Sequence, residues 1–303
     1  MQNTLLNRFF NSGFMLAFFA VALFSSKSIF IKWAYQFNVD TTTLLTLRML
    51  IALPFYTFIL LITLKTADKR MPAITLNSFV SITILGILGY YAASWLDLEA
   101  LHYISAHYER LVLYTYPAFV LIINLLWQKR KITLPEVSAL SIAYLGLLLI
   151  FTHDLNLYGD TIVLGTLLVL ASSFSFSFYV VGSQKYSRKY GSKLFTCIAM
   201  LAATLVILIQ FILTKSLSDL VQPWQVIALA FAIAIIATVI PSFLMNYAIS
   251  QIGANKAAIS GSLGPVLTTG FAIVLLDETF TLWHASGMLL VLIGIYSLSR
   301  QKR

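Results

Sequence analysis

Lys27, Arg48, Glu109 and Arg110 stand inside long apolar runs of a 303-residue chain. A charge held at the centre of a bilayer costs about 2.5–3.5 kcal/mol on insertion scales, so each needs a partner or a purpose. On helices, Arg48 and Glu109 lie about one and a half turns from the ends of their runs and Lys27 about two. They can therefore meet in one layer. Two readings follow. In one, Arg48 or Lys27 anchors a carboxylate of a bound molecule; in the other, Glu109 and Arg48 pair and lock two helices together. Arg110 lies about 100° around the helix from Glu109, so the two do not face one point. Lys32, nearer an end, reads as a side chain snorkelling to the interface.

Hydroxyls and aromatics join these charges. Ser172, Ser175 and Tyr179 share one helical face at spacings of three and four, as do Ser25 and Ser28. Such faces either line a cavity or let helices approach closely. Tyr90, Tyr91, Trp95, Tyr114 and Tyr116 are candidates for an apolar pocket wall, and Asn246 and Ser262 add polar groups from the second half. Pro117, Pro241 and Pro265 each remove a backbone hydrogen bond and are candidate hinges. The expected substrate contacts are thus Lys27, Arg48, Tyr90, Glu109 and Tyr114 from the first half. The second half adds Ser175, Tyr179, Asn246 and Ser262. Enzyme signatures are absent: there is no H-E-x-x-H, G-x-S-x-G or Walker loop. His102 and His107 are five residues apart, about 140° around a helix, so no metal site is expected. No cofactor is implied.

The elements that must hold these residues are membrane helices. The chain is 59% hydrophobic and 10% charged, with a mean hydropathy of +0.88; a soluble domain is about 25% charged. Soluble enzymes and disulfide-built modules are excluded, the latter because Cys197 is the single cysteine. A crossing helix needs about 20 mostly apolar residues. Ten runs qualify, at 13–34, 43–64, 77–96, 104–126, 135–152, 161–182, 193–213, 224–248, 256–276 and 283–299. The first reads as a retained helix and not as a cleaved leader. A barrel would need alternating segments of about 10 residues, which these are not. With both termini inside, the inner segments hold Arg8, Lys65, Lys69, Arg70, Lys129, Arg130, Lys131, Lys185, Arg188, Lys189, Lys193, Lys256, Arg300, Lys302 and Arg303. The outer loops hold Lys215 alone, while Asp40, Asp97, Glu99, Asp154, Asp160, Asp219, Asp277 and Glu278 fall outside. This bias explains the net charge of +9 without a nucleic-acid partner and places both termini in the cytoplasm.

The chain also repeats. One offset of 148 residues aligns Ala100 with Ala248, Ile104 with Ile252, Ala106 with Ala254, Pro117 with Pro265, Thr133 with Thr281 and Gly146 with Gly294. Five helices per half is an odd number, so the second half must enter the membrane inverted. The basic Lys129-Arg130-Lys131 and its acidic counterpart Asp277-Glu278 agree with that. Inverted repeats are a recurrent plan of secondary transporters, with substrate near the midplane. The expected domains are 1–154 and 155–303.

With these features the chain resembles the ten-helix, EamA-like branch of the drug/metabolite transporter superfamily. The carrying residues are 23–34 (LFSSKSIFIKWA), 47–52 (LRMLIA), 103–117 (YISAHYERLVLYTYP) and 252–258 (IGANKAA), with Gly264-Pro265, Asp277-Glu278 and Gly294. The glutamate that ends the fourth helix of a family repeat is matched by Glu278; the first half has Arg130 there. The resemblance implies an all-α integral membrane protein of ten helices that moves small metabolites, often amino acids or their derivatives outward. The expected function is therefore a secondary transporter of the inner (plasma) membrane, an exporter of an amino acid or related compound working by alternating access. Its partners are a small-molecule substrate, the lipid bilayer and a coupling proton or exchange substrate. An importer or exchanger of an anionic or cofactor-like metabolite is the alternative, favoured by the membrane cations. An intramembrane enzyme is the third reading; it needs paired acids or an activated nucleophile at midplane.

Overall fold

The computed structural model describes residues 13–66, 73–128, 133–254, 256–257 and 264–300. Among them there are ten long helices, a short 3₁₀ helix at Leu217–Leu220 and no strand. The long helices are α1 (Gly13–Tyr35), α2 (Thr41–Lys65), α3 (Leu76–Ala100), α4 (Ala106–Leu113, resuming as Tyr116–Gln128) and α5 (Leu134–Tyr158), then α6 (Thr161–Tyr190), α7 (Ser192–Thr214), α8 (Trp224–Ile252), α9 (Gly264–Leu276) and α10 (Leu282–Arg300). All but α9 and α10 have the length and apolarity to cross a membrane over their described residues. Of the expected ninth span, 256–276, residues 258–263 lie outside the described residues. Adding 148 to Gly13, Leu76 and Leu134, which begin α1, α3 and α5, gives Thr161, Trp224 and Leu282, which begin α6, α8 and α10.

Several helices are interrupted where polar side chains supply what the backbone loses. α1 breaks at Ser26, where Ser25 Oγ donates back to the Val21 carbonyl at 2.8 Å, a bond that bends helices. α4 breaks at Tyr114 and Thr115, just before Pro117. The proline leaves the Leu113 carbonyl without its helical donor, and Ser173 Oγ of α6 donates to that carbonyl at 3.1 Å. α3 and α8 carry π turns at Ile87–Ala92 and Ile235–Val239, beginning 148 residues apart. Pro241 follows the second turn, and Thr238 Oγ1 there donates to the Ile233 carbonyl at 2.8 Å. Pro265 is the second described residue of α9. Pro54, inside α2, is a further interior proline.

α5 and α10 pack against each other along glycines. A Cβ on Gly146 would lie 2.5 Å from the Gly287 carbonyl oxygen, and one on Gly294 would lie 2.6 Å from the Ala139 carbonyl oxygen. Gly146 stands to Gly294, and Ala139 to Gly287, at the same spacing of 148. Each contact is thus the counterpart of the other, as in a two-fold interface. Without a solvophobic force between helices in lipid, such close backbone approach supplies the packing.

A latch ties the ends of α4, α5 and α10 to the α9–α10 connection. Glu278 accepts from the backbone N–H of Ala106 at 2.7 Å and of His107 at 3.1 Å, and from His107 Nδ1 at 2.7 Å. The Thr281 N–H donates to His284 Nδ1 at 3.1 Å, so Nε2 carries that ring's proton and donates to Asp154 Oδ1 at 2.9 Å. His153 Nδ1 meets the same oxygen at 3.0 Å. Donor atoms of His107, Asp154 and His284 lie within 4.8 Å of one another. Both nitrogens of His284 and the shared Asp154 oxygen are nevertheless committed to protein partners, so the cluster acts as a clasp. Burial would raise the Glu278 carboxyl, but the His107 ring and the two backbone N–H groups hold it below its ordinary value.

Two outcomes test this packing. Gly294→Leu, which must displace α5 backbone, is expected to lower stability by about 1–3 kcal/mol, read as a lower melting temperature and folded yield in detergent. Gly270→Leu, whose Cβ meets nothing within 4 Å, should leave both unchanged. For the latch, Glu278→Gln should cost about 2 kcal/mol at neutral pH, the scale of hydrogen bonds to a charged group. A depressed carboxylate contributes fully above its unfolded pKa and loses its contribution as pH falls through the lower folded value. The melting temperatures of wild type and Glu278→Gln should therefore converge on acidification.

Candidate functional site

A cavity open at its mouth lies among α1, α2, α3, α4, α6 and α8. One wall is charged. Lys27, Arg48, Asp97 and Arg110 all line it, with Ser94 beside them. α6 and α8 contribute neutral residues to the cavity, Ser172, Phe176, Ala237, Thr238 and Met245. Tyr90, Tyr114 and Tyr116 frame the sides. Both π turns face this space, through Gly89 and Tyr90 and through Ala237 and Thr238. Such turns shift side chains by one position and occur often at functional sites.

The break in α1 places Lys27 at the start of its second segment. Lys27 Nζ donates to Asp97 Oδ2, an ion pair whose acid is almost fully buried. Arg48 is 2% exposed and reaches Ser94 Oγ with Nη2 at 3.1 Å, while its Nε has no hydrogen-bond partner. The Nε of Arg110 is likewise without one. Among the described residues, neither arginine lies within ion-pairing distance of a carboxylate. Two guanidinium groups therefore reach a largely apolar cavity with donor capacity to spare.

Glu109 stands behind this wall. It is fully buried and accepts from Ser28 Oγ at 2.6 Å, and its carboxyl neighbours that of Asp97. The expected Glu109–Arg48 pair does not form: Glu109 faces α1 and Asp97, whereas Arg48 turns to Ser94 on α3. Its neighbour Arg110 faces the cavity, as the helical angle between the two residues requires.

The remaining expected contacts divide. Lys27, Arg48, Tyr90 and Tyr114 line the cavity. Tyr179 and Asn246 form a buried polar layer beside it. Asn246 Nδ2 donates to Tyr179 Oη at 2.5 Å and to Thr196 Oγ1 at 2.9 Å, and the Tyr179 ring meets Tyr90 edge to face at 5.0 Å. Ser175 Oγ donates to the Leu88 carbonyl at 2.8 Å and Ser172 Oγ to that of Ala93 at 2.7 Å, so this serine face binds α6 to the π turn of α3. Ser262 lies outside the described residues. Sequence reasoning assigned no substrate role to Asp97 and Arg110. The signal was present: Tyr90, Ser94 and Asp97 fall at i, i+4 and i+7, and Arg110, Leu113 and Tyr114 at i, i+3 and i+4, each one helical face.

Known proteins place this architecture. The EamA-like transporter family profile matches residues 11–152 and again residues 163–300. The uncharacterized transporter YcbK of Bacillus subtilis is 27% identical over 91% of this chain and 89% of its own length. An uncharacterized transporter of Archaeoglobus fulgidus is 26% identical over 90% of this chain and 93% of its own. A protein of known crystal structure superposes with a TM-score of 0.69 at 16% identity, covering 96% of this chain and 99% of that one, which establishes a shared fold. With apolar helices of membrane-spanning length and both halves matched by the profile, the chain belongs to the EamA-like transporter family and is a multi-pass membrane transporter.

Proposed function

We propose that this transporter moves a small carboxylate-bearing metabolite by alternating access around the Arg48–Arg110 cavity. The carrying observation is the charge imbalance of that cavity. Lys27 is matched by Asp97, but Arg48 and Arg110 have no acid within ion-pairing distance among the described residues. A cation without a counter-ion in an apolar setting is costly, and a substrate carboxylate held by guanidinium donors relieves that cost. The balance favours an anionic metabolite, taken up or exchanged, as the first reading. Outward movement of an amino acid is the second. It uses the same anchor for the carboxylate and the faces of Tyr90, Tyr114 and Tyr116 for the ammonium.

The mechanism rests on two inverted five-helix repeats, 1–154 and 155–303, in the inner (plasma) membrane with both termini cytoplasmic. Supporting this are the helix starts, π turns and glycine contacts that recur at a spacing of 148. Rocking of one half against the other then exposes the cavity to each side in turn. The π turns and the break before Pro117 are the points that bend.

Arg48→Gln is expected to fold with an unchanged melting temperature and to slow counterflow in liposomes about 10- to 100-fold, the loss of one charge-assisted contact. An analogue lacking the carboxylate should be insensitive to the substitution; equal sensitivity would refute the anchor. Screening radiolabelled organic anions beside amino acids separates the two substrate readings. For the topology, single cysteines in a Cys197→Ser background are expected to label with an impermeant reagent from outside at exposed positions near Asp40, Asp154 and Glu278. At Lys129 they should label only after lysis. Outside labelling at Lys129 would overturn the inverted arrangement.

A further inference from the structure

We infer that Asp97 and Glu109 together hold one exchangeable proton and form the site through which proton binding is coupled to substrate. This deepens the functional reading above and rests on it for the coupling alone. Four carboxylate oxygens decide the matter. Asp97 Oδ2 accepts from Lys27 Nζ, and Glu109 Oε2 accepts from Ser28 Oγ at 2.6 Å. The other two, Asp97 Oδ1 and Glu109 Oε1, are buried and have no donor from any described residue. The two carboxyls are neighbours, each acting on the charge of the other. Two such acceptors can join in a hydrogen bond only if one of them carries a proton. Two ionised carboxylates side by side, 1% and 0% exposed, would instead set unrelieved like charges against each other. One proton shared by the pair satisfies both orphan oxygens at once.

The surrounding charges set the sign of the coupling. Lys27 and Lys32 face the pair from α1, Arg48 from α2 and Arg110 from α4, with the Tyr35 hydroxyl also near Asp97. Lys27 belongs both to the pair and to the cavity wall. A substrate anion seated between Arg48 and Arg110 offsets the cations that oppose protonation and draws Lys27 away from Asp97. Both effects strengthen proton binding, and by linkage a bound proton strengthens anion binding equally. Proton and anion then cross together, and the net movement of a monoanion with one proton carries no charge. A gradient of one pH unit therefore supports about a tenfold accumulation.

Infrared difference spectroscopy of the reconstituted protein, recorded against pH, reads the proton without any substrate. The expected result is a protonated-carboxyl C=O band that disappears on alkalinisation, is missing in Glu109→Gln and shifts on 13C-glutamate labelling or in Asp97→Asn. Labelling of the wild type decides the matter if a variant does not fold. Absence of a titrating band, or a band indifferent to label and variants alike, overturns the proton site. For the coupling, liposomes with an acidic exterior are given the organic anion that counterflow identifies. Wild type should accumulate it about tenfold per pH unit, and Glu109→Gln should reach only equal concentrations while counterflow persists. Accumulation independent of the gradient, or driven by the opposite gradient, overturns the coupling. A counterflow screen without any transported anion or amino acid counts against the substrate cavity, and the infrared result still judges the proton pair.

Discussion

Hydrocarbon offers no water to a polar group, so each donor, acceptor and charge inside the membrane must be answered from within the protein. The interior of this transporter is arranged around that constraint. The carbonyl released by Pro117 is met by Ser173, and the lysine in the middle of α1 is met by Asp97. The end of α4 is closed by Glu278, which accepts two of the backbone N–H groups that a helix start leaves unpaired. Against so thorough an accounting, the few groups left over carry information. They include Arg48 Nε, Arg110 Nε, Asp97 Oδ1 and Glu109 Oε1, all within the first-half helices around one cavity.

Much of this was legible in the sequence. Runs of about 20 apolar residues leave little choice of fold, and Lys27 and Arg48 announce themselves because a charge in such a run is rare. Other parts were hidden for physical reasons. Asp97 reads as one of several acids near a helix end, and only the break at Ser26, which aims Lys27 at it, makes it part of the cavity. Depth alone suggested that Glu109 meets Arg48, but depth does not fix azimuth, and the two side chains point to different helices. The latch joins residues up to 172 positions apart, beyond the reach of any local spacing rule. π turns leave no residue signature; here they became visible only in the backbone.

The serines illustrate how one pattern serves two ends. Ser172 and Ser175 share a face, as their spacing requires, and both donate to α3 carbonyls around its π turn. Ser172 also borders the cavity. Close helix approach and a polar wall are therefore compatible uses of the same small hydroxyl residues. Gly89 adds to this: a Cβ there would fall 2.5 Å from the Tyr179 ring, so its absence brings the Tyr90–Tyr179 pair together.

The backbone recurs between halves while the charges do not. The positions 148 residues beyond Lys27, Arg48, Asp97 and Glu109 are Ser175, Thr196, Met245 and Ala257, none of them charged. A second copy of the charged set would double the desolvation cost and place like charges across a narrow space. The asymmetry also bears on movement. In the proposed cycle, a substrate anion anchored to Arg48 and Arg110 keeps its ionic contacts with one half throughout the rocking motion. Phe176, Ala237 and Met245 of the other half then slide past it through apolar contacts that are individually weak. Breaking a buried ion pair at each turn of the cycle would raise the barrier by several kcal/mol. Confining charge to one half leaves only weak contacts to be exchanged between the two orientations, which is what a reversible carrier requires.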